Sequence, residues 1–203
     1  MVTAGATIEP IDPVRFISNW SSGKMGIAIA EALRERGAKV TFVHGRIDDN
    51  SINGIKKIPI KSALDMRDQV LRSIDDNDLI IMSAAVSDYR VKEFSNHKIK
   101  KELLSSIKLE KNPDILSEID NKKIIKVGFA AESENLIENA KKKLLSKDCN
   151  LIVANDITLE GSGFGSNNNK ATLVDKYGCE DLPLMKKSEL AHKILDRTIR
   201  YID

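Results

Sequence analysis

Three short apolar runs constrain the fold most: Asp78 to Met82 (DLIIM), Lys123 to Phe129 (KIIKVGF) and Asn150 to Ala154 (NLIVA). A strand that is apolar on successive residues has no face to offer water, so both of its faces must be covered. The stretches between these runs have helical spacing instead. Met25, Ile29, Ala32 and Leu33 recur at i, i+4, i+7, i+8 in a helix ending near Gly37, and Met66, Val70 and Ile74 mark a second. A third helix is predicted from about Ser133 to Lys147 and a fourth from Lys187 onward. Met1 to Ala4, Ala38 to His44 and Thr172 to Val174 read as further strands. Strand and helix in alternation predict a doubly wound α/β sheet with ligands at the carboxyl ends of its strands.

A chain of 203 residues suits one domain with a sizeable core. Its 32 basic and 30 acidic residues leave a net charge of +2, which gives no global attraction to nucleic acid or an anionic membrane. Neither is expected as a partner, so any affinity for anions must come from local clusters. Cys149 and Cys179 form no C-x-x-C pair, and His44, His97 and His192 lack metal-ligand spacing. No apolar run approaches eighteen residues and no secretory leader opens the chain. With unpaired thiols, a reducing cytoplasm is the expected location.

The informative residues follow the strands. The first strand leads into "TAGATIEPIDPVRFISNWSSGKMG", a long excursion stiffened by two prolines. In it Gly23-Lys24 is followed by Met25, where a P-loop needs Ser or Thr to hold magnesium, and the spacing is not G-x-G-x-x-G either. Ser21, Ser22 and Gly23 still stand where backbone N–H groups and a helix dipole would face an anion. The alternative is a long loop with a serine N-cap, and Lys24 reads as the mere start of the helix. After DLIIM comes "SAAVSDYRVKEFSNHKIKK": Ser83, Ala84 and Ala85 let a ligand approach the backbone, Asp88 follows, and Lys98, Lys100 and Lys101 cluster around Ile99. Lys143 and Lys147 fall on one helix face at i, i+4. Residues 86–111 and 156–169, the latter holding "GSGFGSNNN", read as long functional loops.

The blocks "AGATIEPIDPVRFISNWSSGKMG", "SAAVSDYRVKE…HKIKK", "KNPDIL", "VGFAAES" and "KDCNLIVAND" resemble, in order and spacing, the phosphopantothenate–cysteine ligases of coenzyme A biosynthesis. The resemblance implies a three-layer Rossmann-like sandwich with a mostly parallel sheet. It also implies a homodimer, with residues 86–111 as a flap or dimerisation arm. In bacteria such a domain is often fused behind a flavin-dependent decarboxylase. Nothing in this sequence resembles that partner, so a single ligase domain over residues 1–203 is expected.

The activity implied is amide formation between 4′-phosphopantothenate and L-cysteine. The pantothenoyl carboxylate attacks the α-phosphate of a nucleotide, pyrophosphate leaves, and the cysteine amine displaces the nucleoside monophosphate from the acyl-nucleotidylate. "KIKK", Lys98 to Lys101, resembles the stretch of bacterial relatives that use CTP, which implies an acyl-cytidylate and magnesium with the triphosphate. By the same resemblance Asn19 and Lys98 are catalytic. A neutral amide can orient an acyl oxygen without fixing a charge. A lysine about 4 Å from a phosphate contributes roughly 4 kcal/mol at an effective dielectric near 20. Ser21, Ser22 and Gly23 are assigned to phosphate. Ser83, Ala84, Ala85, Asn112, Pro113, Asp114, Ile115 and Phe129 frame the nucleotide, Ala85 also faces the acyl substrate, and Lys143 and Lys147 reach the triphosphate. Asp88 is assigned to the nucleotide, either as a ligand of the nucleoside or as a holder of the cation.

The sequence departs from the family pattern at Ala6, where a second glycine is usual. That backbone must therefore tolerate negative φ. Trp20, in a variable slot, reads as a packed aromatic at a loop or dimer contact, and Cys149 as core. Two rival functions share the predicted sheet. A nicotinamide-dependent oxidoreductase needs a glycine fingerprint and an acidic residue at the end of the second strand, where Phe42-Val43-His44-Gly45 stands instead. A non-catalytic nucleotide-binding module would keep the Gly/Ser loop without needing Asn19 and Lys98 together.

Overall fold

The computed structural model describes residues 1–203 apart from 49–51, 104, 157, 160 and 203. In chain order the elements are β1 (Val2–Ala4), β2 (Ile8–Pro10), β3 (Phe16–Ser18), α1 (Lys24–Glu35), β4 (Thr41–His44), β5 (Lys56–Pro59) and α2 (Ala63–Ser73). Next come β6 (Leu79–Met82), β7 (Tyr89–Val91), β8 (Leu109–Lys111), α3 (Ile115–Glu118), β9 (Ile125–Glu132), α4 (Leu136–Ser146) and β10 (Leu151–Asp156). The last are β11 (Asn168–Asn169), β12 (Ala171–Asp175), β13 (Gly178–Asp181), β14 (Met185–Lys186) and α5 (Lys187–Thr198).

Eight strands form the central sheet in the order β13-β12-β10-β9-β6-β1-β4-β5. From β10 to β5 every pairing is parallel, while β12 and β13 are antiparallel. The chain runs outward from β1 through β4 to β5, then returns to lay β6 on the other side of β1. That reversal opens a crevice at the carboxyl ends of β1 and β6, where an open α/β sheet binds its ligands.

Side chains alternate between the two layers as a pleat requires. Val2, Ala4, Phe42, Ile81, Val127, Leu151, Val153 and Leu173 face α1 and α5. Val43, Ile80 and Met82 face α2 and α3, and Ala130, Ile152, Ala154 and Val174 face α4. The sheet is therefore covered on both sides, as the apolar runs require. α1 lies close enough to β1 that a Cβ on Gly26 would stand 2.4 Å from the Cβ of Ala4. α2 starts at a capping box between Ser62 and Asp65, and the buried Glu9 carboxylate accepts from Ala63 N.

Several local expectations are corrected. β4 starts at Thr41 rather than Ala38, and α4 spans Leu136–Ser146 rather than 133–147. α1 has no serine cap: its N-cap is Gly23, at φ 80°, with no side-chain cap. The first excursion is not plain loop but carries the β2–β3 hairpin, and residues 86–111 carry the antiparallel pair β7–β8. Within the two stretches read as long loops, Leu104, Ile157 and Glu160 lie outside the described residues. Ala6 has no positive φ, so the missing glycine costs nothing there; Gly5 takes φ 75° instead.

Candidate active site

Two adjoining chambers occupy the crevice. The larger, about 410 Å³, lies over the start of α1 and the ends of β6, β9 and β10. The smaller, about 180 Å³, lies between β6 and the start of α3. Ala84, Val86, Asp88, Phe129 and Lys143 line both.

The wall between them is the segment following β6, and threonines on the first strand and its loop hold it. Thr3 Oγ1 accepts from Ala84 N at 3.3 Å, and Thr7 Oγ1 accepts from Ser87 N at 3.0 Å. Ala85 N donates to Gly5 O and Thr7 N to Ala85 O. The small residues at 83–85 thus keep their backbone at the cleft without bulk. Asn19 sits just after β3 and donates through Nδ2 to Ala85 O at 3.2 Å, which fixes the orientation of its amide. Asn112 closes the far side, donating through Nδ2 to Ser87 O and through its backbone N to Asp88 O.

Most of the residues expected from the sequence come together here. Asn19, Ser21, Ser22, Gly23, Ser83, Ala84, Ala85, Asp88, Phe129 and Lys143 line the larger chamber. Asn112, Pro113, Asp114, Ile115 and Lys147 line the smaller one. Lys98 lines neither. It is exposed on the far leg of the β7–β8 excursion, beside Ile99, whose N donates to Asp12 Oδ2 and whose O accepts from Arg15 Nη2. The Arg15 guanidinium holds the Asp12 carboxyl well below the usual carboxylate range.

Four further residues line the larger chamber without a motif to announce them: Lys24, Lys187, Asn155 and Asn169. Lys24 stands in the Gly-Lys pair and is the first residue of α1. Lys187 carries no motif, and only its place at the head of α5 brings it to the cleft. Lys24 Nζ donates to Gly165 O at 2.7 Å and Asn167 Oδ1 at 2.8 Å. Lys187 Nζ donates to Gly163 O at 2.9 Å and Ser166 O at 2.7 Å.

Charge differs between the chambers. In the smaller, Lys147 pairs with Asp114, which also caps α3 by accepting from Ser117 N. Burial disfavours the Asp114 carboxylate, yet the Lys147 ammonium and the Ser117 N–H hold its pKa below the usual value. Among the described residues of the larger chamber, Lys24, Lys143 and Lys187 face a single carboxylate, that of Asp88. Lys143 donates to Phe129 O at 2.7 Å. Among the described residues no group of three His, Cys, Asp or Glu side chains could cage a metal ion. The donor set suits a cation held mainly by phosphate oxygens and water, with Asp88 as the nearest carboxylate. Cys149 lies beneath, half-buried against α4, and burial pushes its thiol up to about 11. It packs against the core without being fully buried. The end of β4, where a dinucleotide fold would place an acidic residue for ribose, carries His44, whose Nδ1 lies 3.0 Å from Gly45 O.

A family model described as DNA/pantothenate metabolism flavoprotein C-terminal domain matches residues 1–201. The chain is 43% identical over 200 residues to the coenzyme A biosynthesis bifunctional protein CoaBC of Bacillus subtilis, covering 96% of this chain and 49% of that protein. It thus spans about half the length of the curated relatives it matches. A crystal structure of a CoaBC C-terminal domain superposes with a TM-score of 0.83 at 39% identity, covering 100% of this chain and 95% of that one. A Cab2 mutant solved in complex with phosphopantothenate-cysteine shares the fold, with a TM-score of 0.76 at 18% identity over 99% of this chain and 86% of that one.

Proposed function

Because the chain belongs to the DNA/pantothenate metabolism flavoprotein C-terminal domain family, we propose that it is a phosphopantothenate–cysteine ligase of coenzyme A biosynthesis. The observation that carries the proposal is convergence. Residues from five separate sequence blocks line one connected crevice at the switch point of the sheet, and it presents lysines and an oriented amide.

The reaction divides over this geometry. The carboxylate of 4′-phosphopantothenate attacks the α-phosphorus of CTP, the bond to the departing pyrophosphate breaks, and an acyl-cytidylate results. The amine of L-cysteine then attacks the acyl carbon and CMP leaves with the former carboxylate oxygen. Asn19, its Nδ2 held by Ala85 O, orients the acyl group. Ser21, Ser22 and Gly23, at the uncapped N-terminus of α1, receive phosphate through hydroxyl and backbone N–H groups. Residues 112–115 and Phe129 frame the nucleotide, while Lys143 and Lys147 face its phosphates. Lys98 is assigned to the charge that builds during activation, and reaches it by movement of the 86–111 excursion. Magnesium, bound with the triphosphate, would neutralise charge on the phosphate oxygens, with Asp88 as its protein-side neighbour. The domain reading over residues 1–203, a cytoplasmic location and a homodimer belong to the same proposal. The β2–β3 and β7–β8 hairpins leave Phe16, Trp20, Tyr89, Phe94 and Leu109 exposed, Trp20 by 91%, which supports their burial between two copies.

The test is an assay of pyrophosphate release from CTP with magnesium and 4′-phosphopantothenate, run with and without cysteine. Release, with CMP appearing on addition of cysteine, is expected. No pyrophosphate under either condition overturns the ligase reading, and turnover with ATP alone overturns the choice of CTP.

A further inference from the structure

The larger chamber has a feature that the assignments above leave unused. α1 and α5, each of twelve residues, lie side by side in the same direction. At one end Lys24 and Lys187 reach the same 161–167 loop, and at the other Arg36 reaches His192 and Asp196. Both N-termini therefore open on the crevice. Neither is capped by a side chain, and each begins with a lysine. The partial positive charges of two helix ends are thus added to two ammonium groups.

Among the described residues, those ammoniums have no counter-charge. Lys187 is only 7% exposed, yet its partners are the backbone carbonyls of Gly163 and Ser166. Lys24 uses a backbone carbonyl and an amide oxygen from the same loop. An ammonium has three donors, so one N–H on each remains without a partner among the described residues. Residues 161–167 (GSGFGSN) carry no titratable side chain, and φ is positive at Gly161, Gly163 and Gly165. The loop is in turn fixed to the head of α5 by the β11–β14 pairing and by Lys187 N donating to Asn167 O. Burying a charge is costly unless something compensates it. Here burial and the neighbouring Lys24 lower the Lys187 pKa to about 8. A carboxylate would have been the ordinary structural solution; none among the described residues takes that place, which leaves room for an anion brought by a ligand.

We propose that Lys24 and Lys187, at the paired N-termini of α1 and α5, form a binding subsite for a dianionic phosphoryl group, with the 161–167 loop holding both ammoniums in place. The proposal rests on the ligase reading for its two natural sources. These are the 4′-phosphate of the acyl substrate and the terminal phosphates of the nucleotide.

Calorimetric titration of the whole chain, with magnesium present, tests it. Inorganic pyrophosphate is the probe that does not depend on the ligase reading. 4′-Phosphopantothenate against pantothenate, and CTP against CMP, identify the source. Lys187→Met is expected to weaken pyrophosphate and one of the two phosphorylated substrates by about 10- to 100-fold, the size of a lost charged hydrogen bond. Pantothenate and CMP should be unaffected. Lys187→Arg should keep most of the affinity, and Lys24→Gln should lose part of it. At pH 8 the phosphates are already ionised, and Lys187, with its pKa of about 8, is partly neutral. Lys24, Lys143 and Asp88 are the charged groups facing the chamber beside it. Binding should then take up protons, seen as a dependence of heat on the ionisation enthalpy of the buffer, and Lys187→Met should abolish that uptake.

Equal loss for all five ligands, or unchanged affinity for pyrophosphate and both phosphorylated substrates, overturns the subsite. So does the absence of proton uptake by the wild type. A wild type that binds pyrophosphate through these lysines but neither substrate would retain the subsite and overturn the ligase reading.

Discussion

Lys147 and Lys187 are the same residue type on the walls of one crevice, and they are not electrostatically equivalent. Lys147 is matched by Asp114, a carboxylate that also caps α3. Lys187 is more deeply buried and, among the described residues, rests on carbonyl dipoles alone. A matched lysine shapes a pocket but has already spent much of its field on its neighbour. An unmatched one keeps its field for whatever enters. The smaller chamber is therefore suited to a group recognised by shape and hydrogen bonds, and the larger to one recognised by charge.

If the chambers hold different substrates, their reacting atoms meet at the shared wall, and the largest losses belong there. Asn19→Ala is expected to lower kcat by about 100- to 1,000-fold, the range for a lost preorganised donor, with ligand affinities in either chamber little changed. Lys98→Gln should cost as much if the excursion swings in. A near wild-type rate would remove that lysine from the chemistry. Gly26→Val acts on the larger chamber alone, because its Cβ would stand 2.4 Å from that of Ala4 and push α1 off the sheet. Overpacking of this kind costs about 1–3 kcal/mol; denaturant unfolding should show it, together with weaker pyrophosphate binding.

The matched pair offers a subtler test. Lys147→Met leaves Asp114 bare in the smaller chamber and should weaken CTP by roughly tenfold, while Lys147→Met with Asp114→Asn should recover most of that. If the single and double variants bind alike, the pairing is irrelevant to the ligand. The Asp114 carboxyl is held below its ordinary value, so the pair's contribution to stability is complete above the usual carboxylate range. It is lost only as pH falls through the folded value.

The slope has the same sign for Lys187, in a higher window, but here it is the charged form that burial disfavours. Its folded pKa, about 8, lies below the ordinary lysine value of 10.5, so the unfolded chain binds the extra proton between these values and stability rises with pH there. The melting temperature of Lys187→Met minus that of the wild type should therefore fall as pH rises through 8. A constant difference would mean that Lys187 does not titrate. The smallest effect is expected at Trp20. Trp20→Ala should leave monomer stability within about 0.5 kcal/mol, as exposed substitutions do, and should shift only the concentration dependence of the oligomeric state in sedimentation.

The sheet was legible because its central strands, β6, β9 and β10, are buried on both faces and carry the pattern in their own residues. β5 was not: an edge strand reading Lys56-Lys57-Ile58-Pro59, largely exposed, has the composition of a loop. The two hairpins escaped for the same reason, since their three-residue strands bury no continuous face. At the site, residues inside recognisable blocks could be named in advance. Lys24 begins α1 as the sequence suggests, but the pattern Gly-Lys-Met fails a known motif and gives no hint of its partner loop. Lys187 left no trace in sequence, because its environment is made by main-chain carbonyls from about twenty residues earlier.

The hydrogen bonds from Lys24 to Gly165 and Asn167 join residues 141 and 143 positions apart. A ribosome that has already released Asn19, Ser21 and Gly23 must deliver most of the remaining chain before the other side of the chamber exists. Contacts so distant in sequence are closed late in folding. Through that interval the crevice consists of its β1–β6 half alone, and the positive end of α1 faces water. Ligand affinity should therefore emerge with the last steps of folding, so that its appearance in a refolding experiment times the docking of α5.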